Sequence, residues 1–155
     1  MRYARHRIGL LRSHALPRCS MSVAMISIVD LRAIADARLR DAKVLFTNER
    51  IDGAGYVCGY AVELALKARI CSTLDWPGFP EKRTEFENLS SFRTHKLDVL
   101  LALSGQERRI KSEFLNHWTA VATWDPEVRY RALGYTPQAE VELMISSAET
   151  LLGVL

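Results

Sequence analysis

The side chains able to do chemistry fall into three groups. His95 stands between Arg93 and Lys96, where a helix is expected to begin. Free N–H groups and the helix dipole attract anions at such an end. An imidazole flanked by cations there suits a phosphate or RNA contact. The plainer reading is a first-turn residue in a solvated cationic patch. The second group, Trp124, Arg129, Tyr130, Arg131 and Tyr135, combines cations with rings in one linker. Nucleobase and phosphate recognition uses that combination, and so does the packing of a last helix. The third group is charge among apolar positions. Arg38 falls on the apolar stripe of the first helix, where an unpaired guanidinium is expensive. Glu63 is its candidate partner, in a structural or interface ion pair or in a binding role. Glu63 also precedes Lys67 by four residues, a local helical pair.

Absent motifs narrow the chemistry. There is no P-loop, GxGxxG, HExxH or GxSxG. None of His6, His14, His95 and His117 has a Cys or His at metal-ligand spacing, so neither a metal nor a cofactor is expected. His117, between Ile110, Phe114, Val121 and Trp124, reads as a core histidine bonded to a carbonyl or carboxylate. Arg108, Arg109 and Lys111 read as a solvated face. Cys19, Cys58 and Cys71 are odd in number with no CxxC spacing, which argues against a disulfide framework or zinc site. Cys58 and Cys71 read as small core residues in a reducing, cytoplasmic setting.

The elements that must position these residues are helical. Leu31, Ile34, Ala35, Leu39, Ala42, Leu45 and Phe46 recur at helical spacing over residues 29–48. A central helix over residues 54–74 is apolar on two sides. Gly55 and Gly59 each cost it about 1 kcal/mol relative to alanine. Their spacing suggests close approach by another helix, either the first or one from a second subunit. The Asp75–Pro80 stretch ends this helix, and a polar loop of the functional or mobile kind follows to Arg93. Thr94 is the expected cap of a third helix from His95 to Ser104, stopped by Gly105. A fourth helix is expected over residues 106–123. A fifth carries Thr136 as N-cap and Pro137 at its first position. No strand is expected. The fold class is all-α, an antiparallel bundle of four to five helices.

The basic balance is confined to one end. Arg2, Arg5, Arg7, Arg12 and Arg18 precede any acid. Without those five, 16 of the 21 basic residues face all 18 acids. The division is therefore residues 1–26, a basic extension, and 27–155, the helical domain. The extension fits an arm for nucleic acid, a targeting peptide, or translated upstream sequence with the true start at Met21 or Met25. An unstructured or spurious extension is the preferred reading. No apolar run is long enough to span a membrane, so a soluble protein is expected.

The segment Ala54-Gly-Tyr-Val-Cys-Gly-Tyr-Ala-Val-Glu-Leu-Ala-Leu-Lys-Ala resembles the central helix of HEPN domains, with their recurrent Ala-x-x-x-x-x-x-Ala-x-Glu-x-x-Leu-Lys-Ala pattern. His95-Lys-Leu-Asp-Val-Leu-Leu resembles the family's His-x-Leu-x-x-Leu helix start. Arg129-Tyr130 resembles the Arg-Tyr before its last helix. The resemblance covers residues 30–155. It implies a HEPN-like bundle that commonly forms a homodimer and associates with nucleotides or RNA. It implies a nucleotidyltransferase partner, often in prokaryotic toxin–antitoxin or defence systems. Many members are metal-independent ribonucleases using Arg-x(4–6)-His. Here that spacing occurs only from Arg7 to His14, and Arg109 to His117 is one residue too long. The expectation is thus a non-catalytic nucleotide- or RNA-binding module, with Arg93, His95, Lys96, Arg129 and Tyr130 as ligand contacts. Arg38, Gly55, Gly59, Glu63 and Lys67 are expected at packing or dimer contacts. The alternatives are a ribonuclease using His95 with Arg93 or Arg129, and a purely structural interaction domain.

Overall fold

Ser27 begins the helical part of the chain by a local exchange of bonds. Its hydroxyl accepts from the Asp30 N–H at 3.1 Å and donates to the Asp30 carboxylate at 2.7 Å. This satisfies one of the free donors at a helix start. Helix α1 (Ile28–Thr47) follows and buries Leu31, Ala35, Leu39 and Ala42. A tight turn with Glu49 in the left-handed region (φ 58°) reverses the chain into α2 (Ile51–Leu74). Asp75, also left-handed (φ 54°), ends α2. This computed structural model describes residues 25–155 except positions 82 and 88. The readings offered for the first 24 residues, including Cys19, Met21 and the Arg7–His14 spacing, lie outside the described residues.

A short antiparallel sheet closes the open end of the α1–α2 hairpin. Strand β1 (Met25–Ser27) pairs with β2 (Gly78–Pro80), with Ile26 opposite Phe79. No strand was expected, because three-residue strands are too short to show an alternating pattern. Gly78 is required here: a Cβ would stand 2.6 Å from the Ile26 carbonyl oxygen. The stretch expected to be a polar loop is therefore partly ordered. Short 3-10 turns at Arg83–Phe86 and Ser90–Phe92 follow β2. Trp76 meets Phe92 at 5.0 Å between ring centroids, and Phe79 meets Phe86 at 5.8 Å.

Helix α3 (Leu97–Leu103) starts two residues later than expected. Lys96 is extended (ψ 114°), and the Thr94 hydroxyl accepts the Lys96 N–H at 3.1 Å instead of capping the helix. Gly105 (φ +71°) ends that segment as expected. The expected fourth helix is two, α4 (Glu107–Glu113) and α5 (Leu115–Ala122), broken at Phe114 (φ −130°, ψ 27°). No proline or glycine announces that break. A 3-10 turn, Pro126–Tyr130, leads toward α6 (Gln138–Val154). Pro137, not Thr136, occupies the cap position of α6, and no side chain caps it. The Thr136 N–H is held elsewhere, by the Asp52 carboxylate at 3.2 Å.

The described residues thus form a mostly helical bundle of six α-helices and one small sheet. Helix α2 is its axis, packed against α1, α3 and α6. Cys58, Ala61, Val62, Leu66, Ala68, Ile70 and Cys71 of α2 are wholly buried. The expected burial of Cys58 and Cys71 is observed, and both thiols are free. Burial pushes Cys58 up to about 12 and Cys71 to about 11, so both stay protonated near neutrality. No helix among the described residues is long and apolar enough to cross a membrane.

Candidate functional site

Glu63 is the one acidic side chain in the buried core of the described residues, 2% exposed. Desolvating a carboxylate in this way requires partners. The expected local pair is present: Lys67 Nζ donates to Oε1 at 2.6 Å. The second partner is His95, from across the chain. Its Nδ1 lies 3.0 Å and 3.1 Å from the two carboxylate oxygens. When Nδ1 carries the proton, it donates to Glu63 and leaves Nε2 as a free acceptor. The His95 side chain is 60% exposed, so the imidazole bridges the buried carboxylate and the surface.

This arrangement corrects the assignment of Arg38. Its guanidinium does not reach Glu63 but leaves the apolar stripe and bonds Asp41 at 2.6 Å, with both side chains about half exposed. A long flexible stem lets a charged head escape an apolar face in this way. The exposed pair contributes little to stability.

Lys67, Arg93 and His95 share a cavity of about 270 Å³ with Thr94, Glu81 and an apolar wall that includes Phe79, Phe86 and Phe92. Lys67 Nζ stands 5.1 Å from the Phe79 ring centroid, a cation–π contact. Lys67 and Arg93 can donate hydrogen bonds to a phosphate there, and His95 can do so from Nε2 when its ring carries both protons. Lys96, expected beside them, is exposed and is not among the lining residues. The helix-end reading of His95 also fails, because α3 starts beyond it. What positions His95 is Glu63.

Arg129 belongs to a second, larger cavity of about 450 Å³. Its floor is the start of α2, its far wall α6, and its rim the 124–136 segment. Arg50, Arg129 and Arg131 line it together with Tyr56, Trp124 and Tyr135. Asp52 ties the rim down, accepting the Gly134 N–H at 2.6 Å as well as that of Thr136. Arg129 bonds the Pro126 carbonyl at 2.9 Å and Glu127 at 3.2 Å. Its guanidinium stacks 4.5 Å from the Tyr130 ring, and Arg131 stacks 4.4 Å from Tyr135. Tyr130 is exposed and does not line the cavity. The expected ligand set is therefore divided: Arg93 and His95 line one cavity, Arg129 another, and Lys96 and Tyr130 neither.

The two glycines serve this second region. A Cβ on Gly55 would meet Val141 of α6 at 3.3 Å, and one on Gly59 would be driven into the Trp124 indole. Their close neighbours are thus side chains of α6 and the linker, not the backbone of α1. Trp124 rests on Gly59, donates to the Tyr56 carbonyl at 3.2 Å, and meets Tyr60 edge-on at 4.9 Å. Tyr60 and Tyr56 hydroxyls lie 3.2 Å apart. Burial, and then the Tyr56 contact, push the Tyr60 phenol up to about 12. Sequence reasoning missed Asp52, Tyr56 and Tyr60. The tyrosines' helical spacing from Glu63 was a usable signal; the Asp52 bonds, to amides more than 80 residues away, left none.

His117 is half-buried and its Nδ1 faces the Ser147 hydroxyl at 3.3 Å, rather than a carbonyl or carboxylate. Arg108, Arg109 and Lys111 are exposed. No group of three or more His, Cys, Asp or Glu among the described residues is placed to hold a metal ion. The chain matches no family model, no curated protein and no solved structure.

Proposed function

We propose that this chain is a HEPN-like module that binds RNA or a nucleotide through its phosphate, at the cavity between Lys67, Arg93 and His95. The observation that carries the reading is the buried Glu63, which orients Lys67 and His95 into one cavity with Arg93. A carboxylate 2% exposed holds the Lys67 and His95 side chains in place before any ligand arrives, which lowers the ordering cost of binding. The helical bundle and the Glu-Leu-Ala-Leu-Lys-Ala stretch of α2 support the family likeness. In this reading the chain acts as a cytoplasmic homodimer with a nucleotidyltransferase-type partner of a prokaryotic toxin–antitoxin or defence system.

The test is fluorescence anisotropy with a labelled oligoribonucleotide at stated salt, because phosphate contacts make affinity fall steeply with salt. Binding that weakens in Lys67→Gln and Arg93→Gln supports the proposal. An absence of RNA and nucleotide binding at low salt overturns it and leaves a structural interaction domain. A second reading, metal-independent ribonuclease, is favoured by the Glu63–His95 contact, which presents a free Nε2 for proton transfer from a 2′-hydroxyl. Cleavage in the presence of a chelator, lost in His95→Ala, would establish it in place of the binding-only reading.

A further inference from the structure

One face of α2 runs from one cavity toward the other. Asp52, Tyr56, Tyr60, Glu63 and Lys67 follow one another at intervals of four, four, three and four residues, which places them on one side of the helix. Tyr56 lines the larger cavity and Lys67 the smaller. Between them stands Tyr60, half-buried, with its ring edge against Trp124. The Glu63 charge in the middle of this face is answered by Lys67 and His95.

Cations stand at both ends of the face and rings in its middle. Arg50, Arg129 and Arg131 line the far cavity; Lys67 and Arg93, beside the His95 imidazole, line the near one. Few acids oppose them. Asp52 is committed to the Gly134 and Thr136 amides, which leaves Glu140 at one end and Glu81 at the other.

We infer that the two cavities are the ends of one track along α2 that takes a single-stranded nucleic acid. Phosphates meet the basic ends, and bases lie against the half-buried Tyr56 and Tyr60 rings, which the buried Trp124 supports. A duplex hides its base faces inside the stack and cannot use that platform, whereas unpaired bases stack on aromatic side chains regardless of sequence. From Tyr56 to Lys67 the helix rises about 16 Å at ~1.5 Å per residue. That length matches roughly five nucleotides at the ~3.4 Å spacing of a stacked strand, and fewer in a splayed one. The inference rests on the phosphate-binding reading and adds to it the kind of ligand, its minimum length and its path.

The experiment is a length series of labelled oligouridylates and oligothymidylates, from mononucleotide to octanucleotide, in anisotropy at low salt. Affinity is expected to climb steeply up to about four to six nucleotides and then level off. Arg50→Gln with Arg131→Gln, both exposed positions, is expected to weaken hexanucleotide binding about tenfold and mononucleotide binding much less, since the Lys67 and Arg93 cavity is left intact. Tyr60→Ala is expected to do the same, at roughly tenfold for one lost stacked base. Equal affinity for both sugars, or a preference for ribose, supports the track equally, since bases and phosphates are read in both cases. Three results overturn it: a mononucleotide that binds as tightly as a hexanucleotide, a double arginine variant with unchanged hexanucleotide affinity, or an acidic peptide that competes as well as the hexanucleotide. The phosphate-binding reading fails separately, by loss of any effect from Lys67→Gln and Arg93→Gln.

Discussion

Three glycines in the first half of α2 form a graded test of how tightly this helix is packed. Gly53, Gly55 and Gly59 each forgo about 0.5–1 kcal/mol of helix stability relative to alanine. What an added methyl would meet differs at each. At Gly53 it would make ordinary contact with Leu45 Cδ1 at 3.8 Å, so alanine is expected to raise stability by about 0.5–1 kcal/mol. At Gly55 the Val141 methyl at 3.3 Å must yield slightly, which offsets the gain and leaves a change near zero. At Gly59 the methyl enters the Trp124 ring, which must move. Overpacking of that kind costs about 1–3 kcal/mol, and the lost indole bond to the Tyr56 carbonyl about 1 kcal/mol more. After the propensity gain, Gly59→Ala is expected to lose about 2 kcal/mol, or roughly 4–8 °C of melting temperature. Gly59→Leu is expected to lose more. Thermal melts by circular dichroism give the order, and near-ultraviolet dichroism reports the indole. A Gly59→Ala melting temperature at or above that of Gly53→Ala would refute the reasoning.

Three further outcomes are expected. Glu63→Ala leaves Lys67 without its carboxylate and should cost about 3 kcal/mol by urea titration. Adding Lys67→Met should recover part of that loss, and a double variant no better than the summed singles would count against a coupled pair. Asp52→Ala frees the Gly134 and Thr136 amides, so trypsin should cut after Arg131 faster than in wild type while the core melts nearly as before. Equal cutting rates would show that the carboxylate does not hold the rim. The Tyr60 phenol, raised to about 12, favours the folded state while protonated. That contribution is complete below the ordinary phenol value of about 10 and is lost as pH rises toward 12. Absorbance at alkaline pH should show one late-ionising tyrosine that Tyr60→Phe removes; an ionisation at the ordinary value would contradict the burial.

The sequence made the long helices legible because their apolar residues repeat with the helical period. Leu31, Ala35, Leu39 and Ala42 declare the buried side of α1 without help from the rest of the chain. Gly105 was readable because only a left-handed stop needs it there. The β1–β2 pair was not readable, since Met-Ile-Ser and Gly-Phe-Pro acquire meaning only when the α1–α2 hairpin brings them together. Arg38 misled because position alone does not say where a four-bond stem carries its charge. Glu63 was legible as a charge in an apolar helix and as a partner of Lys67. Its bond to His95 joins residues 32 apart and could not be read before the fold. Arg93, His95, Arg129 and Tyr130 were legible as cations and rings, but which of them lines which cavity was not, because proximity in sequence does not specify which cavity a side chain enters.

The β1–β2 clasp has a dynamic consequence. Two strands of three residues have little stability of their own and persist only while α1 and α2 hold their ends together. Local opening therefore begins more cheaply there than in the helical core. Phe79 sits at once in the clasp, in the core cluster and in the cavity wall beneath Lys67. Each fraying of three residue pairs thus loosens one side of the cavity while Glu63, deeper in α2, keeps Lys67 and His95 in place. The molecule joins a rigid set of donors to a yielding wall, and anything held between them will slow the hydrogen exchange of the clasp.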